Sequence, residues 1–105
     1  MRPVKGYISE ATLEEFKPEA TIWKFPIPIQ DEFVISMPRY AELLSVHTQN
    51  GDGQLWARVV PANTSEARKF RLCGTGHSID TDCKYIGTFL IHSGALVFHL
   101  FEVVE

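Results

Sequence analysis

The sequence predicts an all-β fold: a small antiparallel barrel or sandwich of six to seven strands behind a short helical or irregular N-terminal extension. Three observations lead there. From Thr21 onward the chain is a series of short apolar runs rich in aromatic and β-branched residues. Those runs are cut by Pro, Gly and Asn-Gly at the spacing of antiparallel connections. No helical period of any length follows Thr21. A chain of 105 residues, 45% hydrophobic and 22% charged, fills one core and not two. Residues 1–20 are read as an extension and residues 21–105 as a single β domain.

Within the extension, Pro3, Gly6, Pro18 and the acids Glu10, Glu14 and Glu15 surround few large apolar groups. Thr12-Leu13-Glu14-Glu15 fits a capping box, in which the hydroxyl meets the N3 amide and the carboxylate reaches back, so a short helix is expected to about Lys17. Ile22–Phe25 reads as the first strand. Pro26 and Pro28 confine it to a sheet edge, because neither donates to a ladder. Phe33–Met37 is the second, with Phe33, Ile35 and Met37 on one face, and Pro38 ends it.

Leu43–Gln49 and Gln54–Val60 flank Asn50-Gly51-Asp52-Gly53, whose residues tolerate the left-handed region, and the pair reads as a hairpin. Alternation assigns Leu44, Val46, Thr48, Leu55, Ala57 and Val59 to its core face. Pro61–Glu66 is a polar loop and Lys69–Leu72 a further strand. Tyr85–His92 and Ala95–Val103 form a second hairpin around Ser93-Gly94. The last strand is almost continuously apolar, so it is either central in its sheet or buried at an interface.

The formal net charge of −3 lacks the basic excess that a duplex-binding protein needs to neutralise phosphates, so no duplex nucleic acid is expected as a partner. No stretch approaches the roughly 20 apolar residues of a membrane span, and the N-terminus has no export signal, so a cytoplasmic protein is expected. Cys73 and Cys83 are then expected as free thiols.

Phe70-Arg71-Leu72-Cys73-Gly74-Thr75-Gly76-His77 runs a strand into a loop with two glycines and a histidine. Gly74 and Gly76 accept positive φ at little steric cost, so successive amides can converge on an anion or carbonyl while Thr75 and His77 add side-chain donors. With Arg71 beside them, Gly74, Thr75, Gly76 and His77 form the candidate ligand-binding set. An imidazole also exchanges protons near neutral pH. Yet no Ser-His-Asp order or carboxylate pair assembles around His77, so catalysis by His77 with Asp80 or Asp82 is the lesser reading and no catalytic residue is assigned.

Cys73, His77, Asp80, Asp82, Cys83, His92 and His99 are ligand-capable residues, but Cys73-x₃-His77 repeats nowhere as a zinc knuckle, and neither metal nor cofactor is expected. Gly74-x-Gly76 lacks the third glycine and following helix of a dinucleotide fingerprint. His47 and His99, each within a strand, are assigned no role. The aromatics Trp23, Phe25, Tyr40 and Trp56 lack the interleaved basic residues of a single-strand binder and are assigned to packing.

Ile22-Trp23-Lys24-Phe25, Met37-Pro38, Leu55-Trp56-Ala57, Phe70-Arg71, Gly74-Thr75-Gly76-His77, Tyr85-Ile86-Gly87-Thr88-Phe89 and Gly94-Ala95-Leu96-Val97-Phe98-His99 together resemble, in order, a family of small phage and prophage proteins with no assigned activity. The resemblance covers about residues 21–102. It implies a phage-related accessory protein inside a bacterial cell, binding a host component such as a defence protein or a nucleotide-like signal. The expectation is therefore a non-enzymatic binding protein, with a protein–protein inhibitor lacking any small ligand, or a small histidine-dependent hydrolase or lyase, as alternatives. A homodimer is expected through Val97 and Phe101 of the last strand.

Overall fold

Alternating apolar positions and turn residues give seven strands in the computed structural model of the chain, which describes residues 18–104. They are β1 (Thr21–Pro26), β2 (Glu32–Pro38), β3 (Glu42–Gln49), β4 (Asp52–Val59), β5 (Ser65–Gly74), β6 (Cys83–Ile91) and β7 (Leu96–Val103). All pairings are antiparallel. One sheet has the order β1-β4-β3 and the other β2-β5-β7-β6. Two separate sheets make this a sandwich and not a barrel. The helix expected before Pro18 lies outside the described residues. Among the described residues no helix is long and apolar enough to cross a membrane.

The proline-bounded β1 is an edge strand, as its sequence requires. The Asn50-Gly51 turn is tighter than the four-residue reading. Gln49 pairs with Asp52, leaving two loop residues with φ of 54° and 85°, and this pair of positive angles matches the right-handed twist of the strands. In the second hairpin Ile91 pairs with Leu96, so the turn is His92 to Ala95, with positive φ at His92, Ser93 and Gly94. β5 begins at Ser65, four residues earlier than alternation suggested, because Ser65–Arg68 pair with Ile35–Pro38 of β2.

Between the sheets, Met37, Leu55, Val59, Phe70, Phe89 and Leu100 are fully buried. Phe33 stacks on Phe70 with ring centroids 5.7 Å apart. β7 lies between β5 and β6 and is therefore central in its sheet. Leu100 faces the core, while Val97, His99 and Phe101 lie half-buried on the outer face.

The core-face assignment fails at Leu44. A β-bulge between Leu43 and Ser45 shifts the register, so Leu43 and Val46 both pack inward and Leu44 is 45% exposed. β6 carries a second bulge between Tyr85 and Gly87. The two strands are neighbours across the sandwich, and Thr48 Oγ1 donates to Leu90 O at 2.5 Å to close that side.

The β2–β3 turn holds a strained residue. Ala41 N donates to Pro38 O at 3.2 Å, and Tyr40 occupies the third position with φ of 67°, where a glycine is at ease. Tyr40 is 80% exposed and touches the Arg39 guanidinium, 5.2 Å from its ring centroid. A left-handed non-glycine residue costs roughly 1–2 kcal/mol. Tyr40→Gly is expected to raise stability by about 0.5–1 kcal/mol after the added freedom of the unfolded chain is counted, read as a higher midpoint in thermal denaturation. A lower midpoint would mean that the Arg39–Tyr40 contact outweighs the backbone strain.

Candidate functional site

β5 ends at Gly74 and turns back on itself within four residues. His77 N donates to Gly74 O at 3.1 Å, and Gly76 takes φ of 90° at the turn's third position, the angle for which glycine is needed. The imidazole folds over the turn, and Gly74 N donates to His77 Nδ1 at 3.3 Å. The loop therefore uses two of its amides and one ring nitrogen internally. The His77 side chain stays exposed at the rim of a depression of about 210 Å³ that it shares with Asp31, Arg71 and Cys73.

Arg71 is brought to the same corner, but its guanidinium is already met by Glu32 Oε2 at 2.8 Å and Asp80 Oδ2 at 3.7 Å. An anion entering here competes with two carboxylates and faces Asp31 as well. Of the predicted set, the depression brings Arg71 and His77 together while Gly74, Thr75 and Gly76 do not line it, and its surroundings are less electropositive than the sequence implied.

Thr75 does something different. Its hydroxyl pairs with His99 Nε2 at 2.8 Å, and His99 Nδ1 pairs with Thr88 Oγ1 at 2.9 Å. Thr88 Oγ1 in turn meets the Tyr85 hydroxyl at 2.6 Å. This chain of four polar groups runs from the glycine loop across β7 to β6. Hydroxyls donate or accept as needed, so the chain accommodates either imidazole tautomer. Its consequence is mechanical: the loop is tied to the outer face of the four-stranded sheet.

His99 was assigned no role from sequence, yet a signal existed. Counting three residues back from each end of the second hairpin, from Ile91 and from Leu96, pairs Thr88 with His99. That count requires knowing the loop is four residues long, and the positive φ of His92 and Ser93 that makes it so is not encoded by glycines. Cys73 is also directly across from His99. Because hydroxyls hold both ring nitrogens, the imidazole has no nitrogen free to activate that thiol, and the pair does not form a nucleophile and base.

Among the described residues, Asp80, Asp82 and Cys83 are the ligand-capable groups whose donor atoms converge, within 4.8 Å of one another. Burial pushes the Cys83 thiol up, and Asp82 and Asp80 add to that. Cys73 and Cys83 are both free.

Around the polar chain, the outer face of the four-stranded sheet mixes apolar side chains with Glu32, Lys69 and Arg71. Val34 is 56%, Tyr85 55% and Leu90 48% exposed. Register places all three on that face, with half-buried Val97, Phe101 and Val103 between them. Tyr85 meets Phe101 edge-to-face at 5.5 Å. Residues 18–105 match the model of a family described as a domain of unknown function (DUF7352). No curated protein and no solved structure matches the chain.

Proposed function

The chain belongs to the DUF7352 family, and for a family whose description assigns no activity we propose a non-enzymatic binding protein whose contact surface is the outer face of the four-stranded sheet together with the tethered 74–77 loop. The observation that carries this reading is the exposure of Val34, Tyr85 and Leu90 on one sheet face. Exposed apolar side chains interspersed with charged ones, here Lys69 and Arg71, are a usual composition of a protein–protein surface. The tether from Thr75 to His99 supports it, because a pre-ordered loop loses less freedom on docking.

A protein partner is favoured over a nucleotide-like ligand, since the Arg71 charge is offset by Glu32 and Asp80. The resemblance to phage and prophage proteins supplies the setting, a bacterial host cytoplasm, and a host component, including a defence protein, as the partner class. Catalysis is the weaker alternative because His99 has both ring nitrogens engaged and His77 Nδ1 accepts from the Gly74 amide.

Leu90→Lys places a charge on the β6 side of this face without entering the core. Tagged wild-type protein and the variant, expressed in bacterial cells, are to be compared by affinity capture and by light scattering. The wild type is expected to retain a stoichiometric host protein that the variant loses, a change of at least about tenfold in recovery if the position lies at the centre of an interface. If both forms recover the same proteins, the face is not the binding surface. A mass twice 11.9 kDa for the wild type alone would assign the face to a second copy of the chain, the dimer expected from β7.

A further inference from the structure

We propose that the cleft between β3 and β6, at the end where Glu42 and Lys84 lie, binds a small carboxylate with a short aliphatic body. This site shares Tyr85 with the outer sheet face but does not rest on the reading given above.

The cleft follows from the two bulges. Near Thr48 and Leu90 the strands are joined by a hydrogen bond, and at Gly87 they touch so closely that a Cβ there would lie 2.7 Å from Val46 Cβ. Both strands then bulge, β3 between Leu43 and Ser45 and β6 between Tyr85 and Gly87. Bulges bend a strand away from its neighbour and recur beside binding sites. Beyond them lies a cavity of about 390 Å³ between the two edges, within the size range of small-molecule sites.

Its floor is charged but neutral overall and fixed in place. Arg68 Nε and Nη2 donate to the two oxygens of Glu102 at 2.6 and 2.8 Å, and Arg68 Nη1 donates to Ala41 O at 2.7 Å. At the rim, Glu42 is paired with Arg58. Lys84 sits directly across from Glu102 in the register, and its ammonium has no ion pair among the described residues. Leu43 and Ile86 form the apolar walls. The cavity therefore offers one uncommitted positive charge beside two aliphatic surfaces, over a floor whose own charges cancel. The matching guest is a monoanion with an aliphatic tail, such as a short branched carboxylic acid or the carboxylate end of a peptide.

Titration calorimetry on the full chain tests this with isovalerate, isovaleramide, inorganic phosphate and a tripeptide ending in valine with a free carboxylate. Isovalerate, the peptide or both are expected to bind in the millimolar range or better, at least about tenfold more tightly than the uncharged amide. Lys84→Met, whose side chain keeps the length and loses the charge, is expected to abolish that preference while its thermal midpoint stays that of the wild type. If only the peptide binds, the carboxylate comes from a chain terminus; if only isovalerate does, it is a free acid. The proposal is overturned by the absence of heat with every carboxylate to about 10 mM, by equal affinity for acid and amide, by unchanged binding in Lys84→Met, or by phosphate binding as tightly as isovalerate, since the apolar walls would then add nothing.

Discussion

Gly87→Ala is expected to destabilise the fold by about 2–3 kcal/mol, the range of an overpacked core. The backbone angles of Gly87 are not in the left-handed region, so the reason is space and not conformation. A Cβ at this position would lie 2.7 Å from Val46 Cβ and 2.8 Å from its Cγ2. Val46 is buried, and its Cβ is fixed to the backbone of β3, so no rotamer relieves the contact. The two edges must move apart, and the Thr48–Leu90 hydrogen bond that closes this side is stretched with them. Urea denaturation measures the loss as a lower midpoint at constant slope. Val46→Ala in the same chain should recover little, because the clashing Cβ remains. A midpoint within experimental error of the wild type would show that the sheets are not in contact here.

Glu102→Gln is expected to cost about 2–3 kcal/mol, lowering the thermal midpoint by roughly 10–20 °C for a domain of this size. The Arg68 and Glu102 side chains are only 18% and 15% exposed, and the two hydrogen bonds between them are bidentate. Those bonds hold the guanidinium even further above its ordinary range, against the opposing effect of burial. Removing the carboxylate charge leaves a largely buried cation without its hydrogen-bonded partner, with only the weaker attraction of Glu66 remaining. That penalty is larger than the net worth of the pair itself. The double change Arg68→Met with Glu102→Leu should therefore recover most of the loss. Arg58–Glu42 offers the contrast: both partners are more than half exposed, and solvent leaves such a pair with little effect on stability. If Glu102→Gln falls within about 0.5 kcal/mol of the wild type, Arg68 is being satisfied by water.

Each strand was readable because its signals are local. Phe33, Ile35 and Met37 repeat every second residue and Pro38 stops the run. Asn50 and Gly51 are residues for which positive φ costs little. Leu44 was misplaced because a bulge is created by a partner strand: one inserted residue inverts every assignment on its far side, and alternation within β3 alone contains no trace of it. Of the predicted set Arg71 and His77 meet at one depression, and the glycine loop was legible as a turn. Its surroundings were not, since Glu32 reaches Arg71 from another strand and Thr75 meets a histidine 24 positions away.

By itself the sequence determined that this chain makes short antiparallel strands joined by tight turns, because side-chain alternation and turn angles are properties of neighbouring residues. Tertiary structure alone decided the partition into sheets of three and four strands, the two facing bulges, the Arg68–Glu102 pair and the Thr75–His99–Thr88–Tyr85 chain. Each of those joins residues far apart in the chain, and hydrogen bonding and packing select such partners only once the sheets have assembled and excluded water between them.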